Sequence, residues 1–178
     1  FASNIVQDMI SAAHPYAPLA IPTLADTNNV LVAAPEFFYV PDDPSLGYYK
    51  PLFANKICIL ERKDPGDGAD SKSSFKLFNK MREDNDHTVD EEAVLRARLL
   101  DMLIADWDRH FDQWRWATRD TGQGKLYIPI PRDRDQAFFY SDGLILKYMS
   151  KGGIPFLKGL QYRIRDINRL NTVSKNFD

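Results

Sequence analysis

Asp106-Trp107-Asp108-Arg109-His110 and Pro131-Arg132-Asp133-Arg134-Asp135 bracket the stretch that decides how this chain is read. Between them, residues 114–118 and 125–130 are two β-type runs rich in aromatic and branched side chains. Asp120-Thr121-Gly122-Gln123-Gly124 supplies the glycines of a hairpin turn. A hairpin that goes out and returns sets its two flanking loops side by side. Seven aspartates, at 106, 108, 112, 120, 133, 135 and 142, fall within 37 residues. Carboxylates converging at the base of such a hairpin repel and raise at least one pKa, unless a cation or arginines neutralise them. Oxygen ligands of this kind suit Mg²⁺ or Mn²⁺, which keep waters and bind substrate phosphates.

Upstream, Thr88-Val89-Asp90-Glu91 has the form of a capping box that opens the strongest helix of the chain. Leu95, Leu99, Met102 and Leu103 recur on one face of it, with Arg96 and Arg98 off that face. A shorter amphipathic helix is predicted over 73–83. Before it, 63–74 is rich in Asp, Gly, Lys, Ser and Pro and reads as a mobile loop and a boundary. The first part carries a helix over 3–13 that His14-Pro15 ends, and at most a second short helix over 17–26, where Pro18 and Pro22 fall. Strands are predicted over 30–34, 36–40 and 56–61, with a turn at 41–44. Past Phe138-Phe139-Tyr140, a turn at 141–143 precedes a short apolar run, and 156–170 reads as a basic amphipathic helix. The fold class is α+β. Its expected parts are a small α/β segment (1–62), the mobile loop (63–74), and a helical domain carrying the hairpin (75–178).

Composition narrows the function classes. With 178 residues, 44% of them apolar, the chain is long enough to bury a core without metals or disulfides. A net charge of −2 argues against non-specific nucleic-acid binding, which scales with the phosphates neutralised. The single cysteine, Cys58, allows no internal disulfide and reads as a buried strand residue. No run approaches the roughly 18 apolar residues of a membrane span. The start lacks the basic-then-apolar pattern of a signal peptide, and an opening at Phe1 leads us to expect a piece of a longer parent chain.

Taken one by one, the candidate residues also have plainer readings. Asp112 fits a solvated or arginine-paired side chain, and Asp133 and Asp135 alternate with Arg132 and Arg134. His110 fits a loop histidine bonded to a backbone carbonyl. Trp107, Trp114 and Trp116 fit the core.

The order Asp108-Arg109-His110, then Gln113, a hairpin, and Asp133 with Asp135 resembles the catalytic and metal loops of phosphoinositide-kinase-like enzymes. It is also similar to the spore-coat-protein-H kinases, in which a metal aspartate follows a Pro-containing strand as Pro-x-Asp-x-Asp. The resemblance covers 106–135 closely and the remainder only in layout. It implies an atypical protein-kinase-like fold, mostly the helical C-lobe with part of a small N-lobe. It further implies a metal-dependent phosphotransferase acting on ATP and an unidentified hydroxyl acceptor. Asp108 would be the catalytic aspartate, with Arg109 and His110 beside it, and Gln113, Asp133, Asp135 and Asp106 would hold Mg²⁺ or Mn²⁺. Glu61, Arg132 and Arg134 would contact the nucleotide.

Two departures accompany it. Gln113 stands where the family has Asn, and the nucleotide lysine is expected upstream of Phe1, since Lys50 and Lys56 come too late in the order. The longer strings 103–110 and 130–138 are similar to a region of large bacterial surface proteins that accompanies a metallophosphoesterase domain and an outer-membrane barrel. That likeness implies the bacterial envelope or periplasm. The rival functions are a catalytically silent kinase-like module of such a protein and a metal-dependent phosphoesterase. The latter needs two metals and usually several histidines, and the chain has three scattered ones.

Overall fold

The computed structural model describes residues 13–62, 64–65, 71–106 and 108–140. Among them are four α-helices and two small sheets, an α+β arrangement. Helix α1 (Ala17–Thr27) starts with Pro18 in its first turn, where the missing N–H costs nothing, and it tolerates Pro22 inside. Strand β1 (Glu36–Val40) pairs antiparallel with β2 (Lys56–Leu60), and a 3-10 turn (Pro44–Tyr49) and the one-turn helix α2 (Lys50–Phe53) connect them. Cys58 lies on β2 as expected but is half-buried. No strand forms over 30–34. Val30, Ala33 and Pro35 instead turn inward from an extended segment without a ladder partner.

The second sheet has the order β3-β5-β6-β4. Its centre is the hairpin expected from sequence, β5 (Trp114–Asp120) and β6 (Lys125–Pro131), in register from Trp114 opposite Pro131 to Asp120 opposite Lys125. At the turn, Gly122 has φ +84, and Gly124 lies so close to the Asp86 backbone that a Cβ would sit 2.1 Å from its carbonyl oxygen. Only glycine fits there. The short strands β3 (Lys72–Ser73) and β4 (Thr88–Val89) flank the hairpin, so the end of the stretch read as a mobile loop is ordered sheet.

Ser73 caps helix α3 (Ser74–Glu83), its hydroxyl accepting from the Lys76 N–H at 3.4 Å. The cap of helix α4 (Glu91–Leu103) is Asp90, which accepts from the Ala93 N–H at 2.9 Å. The Thr88/Glu91 box therefore does not form, because Thr88 belongs to a strand. The face of α4 also differs from the expected one. Ala93, Ala97, Leu100 and Asp101 are buried, whereas Leu95, Leu99 and Leu103 are 58%, 55% and 61% exposed. Small alanines let α4 lie close to the hairpin, and the leucine stripe points away.

One core joins α1, α3, α4 and the second sheet. Ile21, Ala25 and Val30 pack with Leu77, with Ala97, Leu100 and Ile104, and with Trp114, Trp116 and Tyr127. Trp114 and Trp116 are core residues, as expected, and their rings stack at 5.9 Å between centroids. The Ser74 hydroxyl accepts from the Trp116 indole at 3.0 Å and donates to the Phe111 carbonyl at 2.9 Å, fastening α3 to the loop before β5. The predicted helices over 3–13 and 156–170, the turn at 141–143 with its apolar run, Asp142 and Trp107 lie outside the described residues. Among the described residues no helix is long and apolar enough to cross a membrane.

Candidate functional site

The two loops at the base of the hairpin do come together. The Arg132 N–H donates to the Gln113 carbonyl at 2.9 Å, continuing the β5–β6 ladder one step past its end. The Gln113 side-chain amide donates to Asp133 Oδ2 at 3.3 Å. Asp133 adopts φ +56, a left-handed conformation that aspartate tolerates better than most residues. After that bend Asp133 and Asp135 are exposed and Arg134 turns inward. Both aspartates are thus exposed through a loop bend and not through strand pleating.

Asp108 is half-buried on the facing loop. Its carboxyl is pushed up by burial first, drawn down by His110, and pushed up again by the Asp135 and Asp133 charges. The carboxyl of Asp135 is likewise raised, by burial and then by Asp133 against a bond from Gln136. Each carboxylate feels the others across the gap. Even so, among the described residues no three His, Cys, Asp or Glu side chains come close enough together to hold a metal ion as a set.

Beneath this rim lies an ion cluster whose centre the sequence reading missed. Asp101, on the buried face of α4, accepts from Arg98 Nη1 at 2.9 Å, from Arg109 Nε at 3.0 Å and from Arg134 Nη1 at 2.7 Å. Asp106 accepts from Arg109 Nη2 at 2.6 Å. Its position follows from the end of α4. Ala105 takes φ +55 and the Asp106 N–H returns to the Asp101 carbonyl at 2.8 Å, a left-handed helix stop that tucks Asp106 beneath the loop. Burial pushes the Asp106 carboxyl up to about 7, against the pull of Arg109. For Arg109, burial works against the charge, but Asp101 and Asp106 outweigh it and hold the group above its ordinary value. Burial lowers Arg134.

The structure thus divides the sequence candidates. Asp106 and Arg109 are 3% and 0% exposed, and both are held within the buried cluster. Arg109 braces the two loops by donating to Gln113 Oε1 at 3.4 Å and to the Arg132 carbonyl, with its guanidinium 5.5 Å from the Trp114 ring centre. Neither side chain reaches solvent, so the expected roles of Asp106 in metal binding and of Arg109 at the reacting atoms give way to holding the loops. Gln113 has a similar correction. Arg109 and the His110 N–H, both donors only, point at its Oε1, so its carbonyl faces inward and its amide nitrogen faces Asp133. Gln113 fits the positioning of Asp133 and does not fit as a metal ligand. His110 caps the short 3-10 turn at 111–113, its Nδ1 accepting from the Asp112 N–H at 3.4 Å.

Glu61, Gln113, Arg132, Asp133, Arg134 and Asp135 line one open groove of about 450 Å³, together with Asp112 and Arg115. Glu61, at the end of β2, pairs with Arg132 across it, and both side chains are 27% exposed. Ile59 and Pro18 give the groove an apolar edge. A larger groove of about 660 Å³ beside the C-terminal end of α1 contains none of the candidates and no concentration of charge. For a divalent cation, Asp133 and Asp135 are the fitting donors: exposed, adjacent, and on a groove with room for water and an anion.

The signal for Asp101 was present, since it is the lone acid within Leu99-Leu100-Asp101-Met102-Leu103. A charge inside an apolar run marks a buried partner. No protein-family model matches the chain, no curated protein matches its sequence, and no solved structure matches it.

Proposed function

We propose that this domain is a metal-dependent phosphotransferase of the atypical-kinase kind, built around the groove at the base of the hairpin. The single observation that supports this most is the convergence of Gln113, Asp133 and Asp135 on that groove, with Asp108 in electrostatic reach from the opposite loop. Asp133 and Asp135 would hold Mg²⁺ or Mn²⁺, which when bound would supply charge neutralisation for a transferring phosphoryl group. Gln113 fixes Asp133 through its amide. Asp108, with its carboxyl raised above the usual range, accepts the proton of the attacking hydroxyl. The raised value brings it closer to the pKa of an effective base. Arg132 offsets charge along the groove.

ATP is the proposed donor and a hydroxyl compound the acceptor; the likeness to bacterial surface proteins favours an envelope location. The test is phosphoryl transfer from Mg²⁺-ATP, followed by ³¹P NMR and by intact mass of the chain. Asp108→Asn should lower the rate roughly 10²- to 10⁴-fold, the usual contribution of a general base, without lowering the thermal midpoint. Full activity in that variant removes the assignment.

A second reading has its own observation. Gln113 turns its carbonyl away from the groove, and Glu61 already pairs with Arg132. Both features suit a catalytically silent module that binds a phosphate-bearing ligand without turning it over. Binding of Mg²⁺-ATP with no transfer by the wild-type chain decides for it.

A further inference from the structure

Within the buried cluster, the carboxylates of Asp101 and Asp106 hold the guanidiniums of Arg98, Arg109 and Arg134. Arg134 is the member that reaches the groove. Its Nη1 is anchored on Asp101, while its Nε and Nη2, both buried, have no hydrogen-bond partner among the described residues. Those two nitrogens form the side of a guanidinium on which two N–H bonds run parallel, the edge that clasps two oxygens of a phosphate or carboxylate. Leaving such an edge unmet in a buried position is costly, so an unmet one marks a place for a ligand.

Beside Arg134 is a small void of about 30 Å³ that shares Pro18, Glu61, Arg132, Asp133 and Arg134 with the wide groove. The Glu61–Arg132 pair stands between the two spaces. Both of its side chains keep partial contact with solvent, so a more highly charged anion can compete with Glu61 for Arg132.

We propose that Arg132 and Arg134 together form a receptor for a phosphoryl oxyanion, and that Glu61 occupies Arg132 as an internal competitor until the oxyanion arrives. The choice of phosphate over carboxylate rests on the phosphotransferase reading above. The receptor itself rests on the unmet, buried edge of Arg134 and its place beside the groove. On binding, the Glu61 carboxylate swings off Arg132, the oxyanion takes its place, and the Nε/Nη2 edge of Arg134 closes on the remaining oxygens. Asp133 and Asp135 border the same groove, so a divalent cation there strengthens the binding.

The test is the arginine Nε–Hε NMR spectrum of the whole chain, titrated with inorganic phosphate in EDTA, with sodium chloride and sodium acetate as parallel arms. Arg134→Lys identifies the resonance and is not needed for the result. Phosphate should move the Arg134 Hε signal downfield saturably, and Glu61→Gln should tighten that binding several-fold. A conservative change at a strand end leaves the fold in place. A shift produced equally by chloride, an equal response to acetate, no shift in either protein, or unchanged affinity in Glu61→Gln overturns the proposal. Phosphate binding with no transfer from Mg²⁺-ATP would sink the enzyme reading and keep the receptor. Transfer with no response at Arg134 would do the reverse.

Discussion

The side-chain amide of Gln113 bridges the two loops at the open end of the hairpin, giving one hydrogen bond to Asp133 at 3.3 Å while its carbonyl takes bonds from Arg109 and His110. Few side chains satisfy both sides at once, since the position needs an acceptor facing inward and a donor facing outward. Glutamate has no donor when ionised, and leucine has neither.

Gln113→Leu is therefore expected to destabilise the fold by about 1–3 kcal/mol, the cost of leaving buried donors unmatched. It should also free Asp133 from its fixed orientation. Urea denaturation measures the first effect. Loss of divalent-ion affinity beyond the loss of stability reports the second.

Asp101 is the larger structural risk. Its carboxylate holds three arginines from three parts of the chain. Asp101→Ala should cost about 3–5 kcal/mol, the usual penalty for stripping the partner from buried charges. Since many domains have only about 5–15 kcal/mol of stability, circular dichroism should show much of the variant population unfolded at 37 °C. Near-native stability would mean the cluster is not the support described here.

Asp106 sets a pH dependence whose sign is fixed. Its folded-state carboxyl titrates near 7, well above the ordinary 3.8, chiefly because it is buried. The folded chain therefore retains a proton that the unfolded chain has released, and stability falls as pH rises from about 4 to about 7. Asp108 and Asp135, also raised, act in the same direction. The slope attributable to one group is at most about 1.4 kcal/mol per pH unit. Asp106→Asn should flatten the unfolding free energy across that range. A wild-type profile that climbs from pH 4 to 7 would contradict the account.

The hairpin, its turn and the meeting of its two loops were legible because their signals are local: branched and aromatic runs, glycines in the turn, acidic strings at both ends. The face of α4 was not. Leucines at helical spacing mark one apolar face, whereas contact with the hairpin selects Ala93 and Ala97, whose small size permits close approach. Helical spacing shows that a face exists and leaves open which neighbour it meets. Leu99→Ala should accordingly change stability by less than about 0.5 kcal/mol, while Leu100→Ala should cost about 2–5 kcal/mol; thermal unfolding of the two variants separates the faces. The segregation of Arg109 and Arg134 from Arg132 was equally invisible, because it depends on Asp101 and on the left-handed turns at Ala105 and Asp133. Sequence grouped the charges correctly and could not sort buried from exposed.

A divalent ion held at Asp133 and Asp135, where the two loops of the β5–β6 hairpin meet, is the feature on which the proposed chemistry depends. Titrating the chain with Mn²⁺ and following paramagnetic broadening of backbone amide signals tests it most directly. The expected result is saturable broadening centred on residues 133–135, reaching Gln113 and Asp108, and abolished by Asp133→Asn. Broadening centred elsewhere, or unchanged in that variant, would contradict it.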